Sequence, residues 1–287
     1  MTGTIMQAWL SSQALFLLFT GGCAAAFGLQ YWWLRKLGFT RLPWLAWVFS
    51  ALLLGWGWHL AEQAGQREWH RIQDLTQDFA RLYGNELEKS GHWKLPDNVA
   101  TNDPLYLNLI ATEKTWEQLN PGVTDIYTLR KLPDGKNTFI VDSETDYNHD
   151  GKYDGEREQR TPVGEVYTEA DEGLEHAFRG QANFDFVPVT DRWGTWVSAF
   201  EPLRDPSGRV EAVIGVDFDA HEFIAAIKNA KLRIIGLLAA LQLLLLGSST
   251  LNSMLRMQII EREKTEQELR FFGSAVEQVK ESIMITD

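Results

Sequence analysis

The sequence predicts a membrane protein made of three transmembrane helices and one α+β domain, which has a five-stranded antiparallel sheet and a long N-terminal helix. The first observation is that Asp, Glu, Lys and Arg are absent from residues 1–34, 42–61 and 234–255. A helix needs roughly 20 apolar residues to cross a bilayer, and each stretch is long enough. The second observation is that residues 62–231 hold 32 acidic and 18 basic residues, a net charge of −14. This block has the length of one domain, and its sign excludes a nucleic-acid-binding surface, which would be basic.

The three apolar stretches also predict the orientation of the chain. We expect membrane helices at about 10–33, 42–61 and 232–255. Three basic residues, Arg35, Lys36 and Arg41, lie in the 34–41 loop between the first two helices. Because Lys and Arg in short loops favour the cytoplasmic side, this loop is predicted to be cytoplasmic. The N-terminus and the acidic block, residues 62–231, are then on the outer side.

The acidic block divides into one long helix and two groups of strands. Apolar residues recur at three- to five-residue steps over 62–90, which predicts a helix that continues from the second membrane helix. The later residues predict strands at 125–132, 137–143, 182–189, 195–203 and 209–218, and a helix at 171–178. Pro133–Gly135 and Asp205–Gly208 provide hairpin turns, because proline fixes φ and glycine permits a positive φ.

Three segments of this block resemble extracytoplasmic Cache (PAS-like) sensor domains. They are Tyr167–Asp171, Thr190–Ala199 with its Trp-Gly-Thr-Trp core, and Gly215–Asp217. Domains of that family lie between membrane helices in bacterial histidine kinases, diguanylate cyclases and chemoreceptors. The resemblance covers roughly residues 62–231 and implies that the sheet binds a small molecule. It also implies a multi-pass homodimer in the bacterial plasma (inner) membrane, with this domain periplasmic or extracellular.

The residues after the third membrane helix look like a link to a further domain. Residues 256–270 are charged and favour a helix, which we interpret as a cytoplasmic linker that loosely couples two subunits. Residues 271–287 resemble the start of a cytoplasmic PAS domain, with a first strand at 282–286. Because a strand cannot fold without a sheet, we expect the chain to be part of a longer receptor. No cyclase, phosphoacceptor-histidine or nucleotide-binding motif occurs, so a histidine kinase (two-component) or diguanylate cyclase output is expected beyond residue 287.

The candidate ligand contacts lie on the last strands and on the turn between them. Alternation places Gly215 and Asp217 on the same face of their strand, so Gly215 leaves room for a ligand beside Asp217. Trp196 likewise lies on one face of its own strand. A carboxylate on an apolar strand needs a partner, such as a ligand amine. The expected ligand-binding residues are Tyr127, Arg130, Tyr167, Asp191, Trp193, Trp196 and Asp217. An acidic lining favours a cationic or zwitterionic ligand, such as an amine or amino acid. In the open alternative, Asp217 caps its strand and Trp196 belongs to the core.

A second candidate site is the acidic loop that begins at Asp146. Its expected metal ligands are Asp146, Asn148, Asp150, Lys152 through its carbonyl, and Asp154. These are the oxygen ligands of a calcium loop, with Gly151 at the sharp turn. Position 12, which should be a bidentate Glu, is Arg157, so a solvated acidic turn is the competing interpretation. The alternative function is a calcium-dependent structural or interaction domain anchored in the membrane. No nucleophile–base pair supports a catalytic site.

Overall fold

The computed structural model describes residues 3–37, 44–147, 150–153, 155, 157–169 and 172–284. The chain forms two compact units. One comprises residues 63–231 with 1–11, and the other comprises residues 12–62 and 232–287. The first contains a mixed α/β domain, and the second consists of helices.

A single antiparallel sheet organises the first unit. Its strands are β1 (Asp125–Lys131), β2 (Asn137–Asp142), β3 (Val166–Tyr167), β4 (Asn183–Thr190), β5 (Thr195–Arg204) and β6 (Val210–Asp219). Their order is β3-β2-β1-β6-β5-β4, and each neighbouring pair is antiparallel. The five expected strands are present, but the sheet has six strands among the described residues. The additional strand, β3, was not predicted because two residues are too few to show alternation.

The described residues also form helices, and the first and last of those named next belong partly to each unit. They are α2 (Trp44–Ser90), a 3-10 turn (His92–Lys94), α3 (Pro104–Leu119), α4 (Glu172–Phe178) and α5 (Ala220–Met284). The unbroken α2 confirms the predicted continuity from residue 62 to residue 90. The sequence did not predict α3, which begins with a clear cap. The Asp103 carboxylate accepts hydrogen bonds from the backbone N–H groups of Leu105 (2.9 Å) and Tyr106 (3.1 Å), and Pro104 suits the first helical position.

The two faces of the sheet have different partners. One face packs on α2 and α3 through a large apolar core that includes Tyr83, Leu109, Ile126 and Ile214. The opposite face carries a smaller and more aromatic cluster, which also contains Leu174 of α4. The members of that cluster from the sheet and its turns are Tyr127, Leu129, Phe139, Trp193, Trp196, Phe200 and Val213. Alternation along the strands therefore leaves one face of the sheet for a cavity.

In the second unit, α1 (Gly3–Lys36) packs against α2 and α5. The ring centroids of Phe16 and Trp58 lie 4.5 Å apart, and those of Phe27 and Trp47 lie 6.0 Å apart. Because residue numbers rise along α1 as they fall along α2, the two helices are antiparallel.

Two of the described helices, α2 and α5, are long and apolar enough to cross a membrane. The sequence predicted three, so the expectation for the first apolar stretch is corrected. The described part of α1 includes Thr20, Gly21, Gly22 and Gln30, which lower its mean hydropathy.

The expected strand at 282–286 is also corrected in the part that the structure describes. α5 continues through Ser282 to Met284, and residues 285–287 lie outside the described residues. A helix satisfies its backbone hydrogen bonds within itself, whereas a strand needs a neighbour. A segment without neighbouring strands therefore extends the helix.

Candidate ligand-binding site

A small cavity opens on the aromatic face of the sheet, across β2, β1 and β6. It is lined by Asp125, Tyr127, Phe139, Asp142, Thr161, Tyr167, Asp191, Trp193 and Asp217, and its volume is about 10 Å³. Four of these residues are carboxylates and four are aromatic. No Lys or Arg lines this cavity in the part of the chain that the structure describes. The polar lining of the cavity is therefore acidic, and its walls are aromatic.

Asp217 is the most deeply buried carboxylate residue of the cavity, and it is only 2% exposed. Its register partner on β1 is Asp125, so the two carboxylates lie side by side on neighbouring strands. The Tyr127 hydroxyl donates to Asp217 Oδ1 at 3.4 Å. Burial, followed by the charge of Asp125, raises the pKa of Asp217 well above its usual value, although hydrogen bonds from Ser198 and Tyr127 oppose this shift. Within the described residues, no salt bridge neutralises Asp217.

Asp191 builds the turn that places tryptophans beside the cavity. Its Oδ1 accepts hydrogen bonds from the backbone N–H groups of Trp193 (2.8 Å) and Gly194 (2.9 Å). The indole Nε1 of Trp196 donates to both carboxylate oxygens, at 3.0 and 3.1 Å. Gly194 is needed here, because a Cβ would lie 2.4 Å from the Trp196 ring. One carboxylate thus holds the backbone at Trp193 and the indole of Trp196.

Gly215 lets the ring of Tyr127 lie across β6. A Cβ on Gly215 would be 2.5 Å from the Cε2 and Cζ atoms of Tyr127. The space that the sequence suggested for a ligand is therefore filled by a side chain of the protein. Tyr127 forms part of the cavity wall at this point, and its hydroxyl reaches Asp217.

The aromatic wall centres on Phe139. Its ring centroid lies 5.6 Å from those of Tyr127 and Tyr167 and 5.7 Å from that of Trp193. Aromatic faces attract cations through their quadrupole. Carboxylates combined with such a wall suit a positively charged group.

A larger cavity of about 510 Å³ adjoins this region. It is lined by Lys114, Glu117, Gln118, Pro121, Val123, Thr124, Thr145, Asp146, Tyr147, Tyr153, Arg157, Trp196, Asp219 and Glu222. Tyr147 links the two cavities: its hydroxyl donates to Asp125 Oδ2 at 3.1 Å, and its ring stacks on Trp196 with centroids 5.9 Å apart. The volume is in the range of small-molecule pockets.

The structure brings most of the predicted ligand residues together. Five of the predicted residues line the small cavity: Tyr127, Tyr167, Asp191, Trp193 and Asp217. Trp196 lines the larger cavity, although its ring is 3% exposed and also belongs to the aromatic cluster.

Arg130 departs from the expectation. It lies on the helix-facing side of the sheet, where its guanidinium donates to the Glu211 carboxylate at 2.6 Å, to Asp97 at 2.8 Å and to the Leu95 carbonyl at 2.9 Å. Glu211 in turn contacts the Nδ1 atom of buried His92 at 2.6 Å. Alternation explains the difference, because residues three apart on a strand point to opposite faces.

Four residues of the small cavity were missed by sequence reasoning: Asp125, Phe139, Asp142 and Thr161. Asp125 begins β1 and Asp142 ends β2, whereas Phe139 lies within β2. A carboxylate at the start of β1 and another at the end of β2 were visible in the sequence. Their adjacency to Asp217 depends on the β1–β6 pairing, which joins strands far apart in the chain.

Of the expected metal loop, Asp146, Asp150 and Lys152 are described, whereas Asn148 and Asp154 lie outside the described residues. Asp146 Oδ2 accepts a hydrogen bond from the Gly151 N–H at 2.8 Å, and Asp146 Oδ1 accepts one from the Asp150 N–H at 3.2 Å. Gly151 has φ +77°. Among the described residues, no group of three His, Cys, Asp or Glu side chains is placed to hold a metal ion.

No protein-family model matches the chain, and no curated protein matches it. Among solved structures, the chain is similar to the ligand-binding domain of the Campylobacter jejuni chemoreceptor Tlp3 in complex with 4-methylisoleucine (13% identity, TM-score 0.42, 61% of each chain covered). It is also similar to the sensor domain of the V. cholerae histidine kinase DctB (13% identity, TM-score 0.41, 64% of this chain and 60% of that one). A third is the periplasmic domain of RsbU from Chlamydia trachomatis (14% identity, TM-score 0.37, 61% of this chain and 56% of that one). The chain spans about three fifths of the length of these structures, and its function rests on the geometry of its own site.

Proposed function

We propose that the chain is the sensory part of a membrane receptor, and that its α/β unit binds a small cationic ligand, an amine or the amino group of an amino acid. The observation that carries the proposal is the small cavity, where four carboxylates and four aromatic side chains converge. Buried charges are stable only when they are paired, coordinated or neutralised. An ammonium group supplies the missing positive charge, and its N–H groups suit the carboxylates of Asp125 and Asp217.

The same arrangement disfavours anionic ligands. A carboxylate or phosphate that entered the cavity would meet the carboxylates of its lining, and like charges placed next to one another cost several kcal/mol. The aromatic side chains favour an alkylammonium group over a hydrated metal ion, because their faces attract cations of low hydration. The charge pattern therefore selects the class of ligand.

The chain connectivity supports a signalling role. Asp217 lies on β6, which ends at Asp219, and α5 begins at Ala220. The Asp219 carboxylate caps α5 by accepting hydrogen bonds from the N–H groups of His221 (2.6 Å) and Glu222 (3.2 Å). A ligand at Asp217 that favours one position of β6 therefore acts three residues before a helix that is long and apolar enough to cross a membrane.

We further propose that α2 and α5 cross the bacterial plasma membrane and that residues 63–231 are periplasmic or extracellular. Arg35 and Lys36 precede α2, and Arg256 follows the apolar part of α5, so both flanks are basic, as is typical of the cytoplasmic side. In this proposal the receptor is a homodimer whose cytoplasmic PAS and output domains, a histidine kinase or a diguanylate cyclase, receive the signal.

Thermal unfolding of the full chain in detergent micelles tests ligand class. By mass action, amines and amino acids at a hundredfold excess over Kd should raise the free energy of unfolding by about 2.7 kcal/mol, and with it the melting temperature. Dicarboxylates should not. Asp217→Asn should weaken amine binding by at least about tenfold, because an amide cannot neutralise an ammonium group. The matched control is Asp78→Asn, a change at a carboxylate that is 72% exposed on α2. Equal stabilisation by anions, or unchanged affinity in Asp217→Asn, would contradict the proposal.

The Asp146 loop is proposed as a separate calcium site. The bond between the Asp146 carboxylate and the Gly151 N–H is the one that closes a calcium loop at its sixth position. Under the alternative function, a calcium-dependent structural domain, calcium should raise the melting temperature strongly and amines should have no effect. Asp146→Asn should abolish the calcium response and leave amine binding intact if the two sites are independent.

A further inference from the structure

Two carboxylates next to the small cavity are joined by two hydroxyl groups. Glu117 comes from α3 and Asp125 from the start of β1. The hydroxyl oxygens of Ser143 and Thr145 each lie 3.0 Å from Asp125 Oδ1, and that of Thr145 lies 3.1 Å from Glu117 Oε1. The Ser143 hydroxyl also contacts Glu117 Oε1. Each hydroxyl thus bridges both carboxylates.

This arrangement has too few hydrogens if both carboxylates are ionised. The two hydroxyl groups carry one hydrogen each, but they make four contacts with carboxylate oxygens. The backbone N–H of Ile126 donates to the Ser143 hydroxyl oxygen at 3.3 Å. This bond uses a lone pair of that oxygen and supplies no hydrogen to either carboxylate. At most two of the four contacts can then be hydrogen bonds, and the others bring two electron-rich oxygens together. One added proton on the carboxyl pair converts a repulsive contact into a hydrogen bond.

The surroundings add further negative charge. Glu113, one turn before Glu117 on α3, is 0% exposed, and neither of its carboxylate oxygens has a hydrogen-bond partner among the described residues. The nearby cation, Lys114, is bound to Glu144 at 2.9 Å. The titratable and charged groups around the pair are Glu113 and Lys114 of α3, Tyr127 of β1, Asp142 of β2, Glu144, Tyr147, Arg157 and Arg160 of the following segment, Asp191 of the β4–β5 turn, Asp217 and Asp219 of β6, and Glu222 of α5. Burial and neighbouring carboxylates raise the pKa of Glu117 to about 8 and that of Asp125 to about 7.

The pair is connected to the proposed ligand cavity through Asp125. Asp125 lines that cavity and is the register partner of Asp217. The other carboxylate oxygen, Oδ2, accepts the hydroxyl of Tyr147, which lines the larger cavity. A positive charge placed beside Asp217 therefore stabilises the ionised form of Asp125 at the same time.

We propose that Glu117 and Asp125 share one proton in the ligand-free protein, and that a cation entering the small cavity releases this proton to solvent. The release step rests on the proposed function, whereas the shared proton does not. The balance is simple: the O–H bond of the carboxyl pair breaks, the proton passes to water or buffer, and the ligand supplies the replacing positive charge. A metal ion at the pair itself is disfavoured, because contacts of hydrogen-bond length leave no space between the oxygens.

Infrared difference spectra of the ligand-free full chain between about pH 6 and pH 9 test the shared proton. The band of protonated carboxyl groups should shrink over this range in the wild type. Glu117→Gln should remove that part of the change, whereas Glu86→Gln, at an exposed position of α2, should retain it. Ser143→Ala keeps both acids and removes one bridge, so it should shift the titration without abolishing it. A wild-type spectrum without this change, or an identical change in Glu117→Gln, would overturn the inference.

Calorimetric titration with methylammonium chloride tests the release. Methylammonium stays charged over this pH range, as other alkylamines do. If one proton leaves the pair, the wild-type Kd should fall by up to about tenfold per pH unit more than the Kd of Glu117→Gln. Parallel pH profiles for the two proteins would overturn the coupling while leaving amine binding intact. No methylammonium binding at any pH would overturn the release step together with the proposed function.

Discussion

Replacement of Gly215 by alanine tests whether the Tyr127 ring forms the cavity wall at β6. The added Cβ would lie 2.5 Å from Cε2 and Cζ and 2.8 Å from the hydroxyl oxygen of that ring. Carbon atoms pack at about 3.5–4.0 Å, so the ring must move by about 1 Å. Overpacking of this kind costs about 1–3 kcal/mol, whereas the reduced entropy of the unfolded chain returns about 0.4–1 kcal/mol. The clash is the larger effect, and we expect a net loss of about 1–2 kcal/mol.

Thermal unfolding of the full chain measures this loss, at about 2–4 °C per kcal/mol for a domain of this size. Methylammonium affinity should fall as well, because the displaced hydroxyl leaves Asp217. The control is the same change in a Tyr127→Leu background, where the ring is gone and Gly215→Ala should cost little. An equal loss in both backgrounds, or unchanged stability and affinity in Gly215→Ala alone, would show that the ring does not occupy this position.

Two further predictions separate the faces of the sheet. Arg130→Ala should destabilise the protein by about 3–5 kcal/mol in urea unfolding, because it leaves the Glu211 carboxylate buried with one partner fewer. Methylammonium affinity should stay within about twofold of the wild-type value. A large loss of affinity would place Arg130 at the ligand after all. Glu113→Leu should remove a pH dependence: burial holds the pKa of Glu113 well above its unfolded value, so the stability that this group contributes is present at low pH and is lost as pH rises through the raised pKa. Above the unfolded pKa of a glutamate, about 4.3, the stability of the wild type should fall by up to about 1.4 kcal/mol per pH unit as pH rises toward the raised pKa of Glu113, and a Glu113→Leu variant with the same slope would contradict the assignment.

The strands were predictable because their apolar runs are bounded by strong turn residues. Gly135 and Gly208 both adopt positive φ, at 87° and 84°, as the two hairpin turns required. The helix α3 was harder to predict, because its apolar residues face the sheet while polar residues interrupt the pattern. Its signal was local: Asp103 followed by Pro104 is a typical helix start.

The site was predictable in composition and unpredictable in arrangement. Asp191, Trp193 and Asp217 lie near turns or strand ends, where polar and aromatic residues stand out in the sequence. Tyr127 and Arg130 are three residues apart on one strand, so alternation alone excludes a shared face. The pairing of Asp125 with Asp217 joins residues 92 positions apart and could not be read from either strand by itself.

A structure of the chain with its tightest-binding amine tests the proposed ligand site most directly. We expect the ammonium nitrogen within about 3 Å of the Asp217 carboxylate, with the aromatic side chains of Tyr127 and Trp193 around it. An amine bound only in the larger cavity beside Tyr153, or one whose nitrogen points to solvent, would contradict the assignment of the acidic cavity as the cation site.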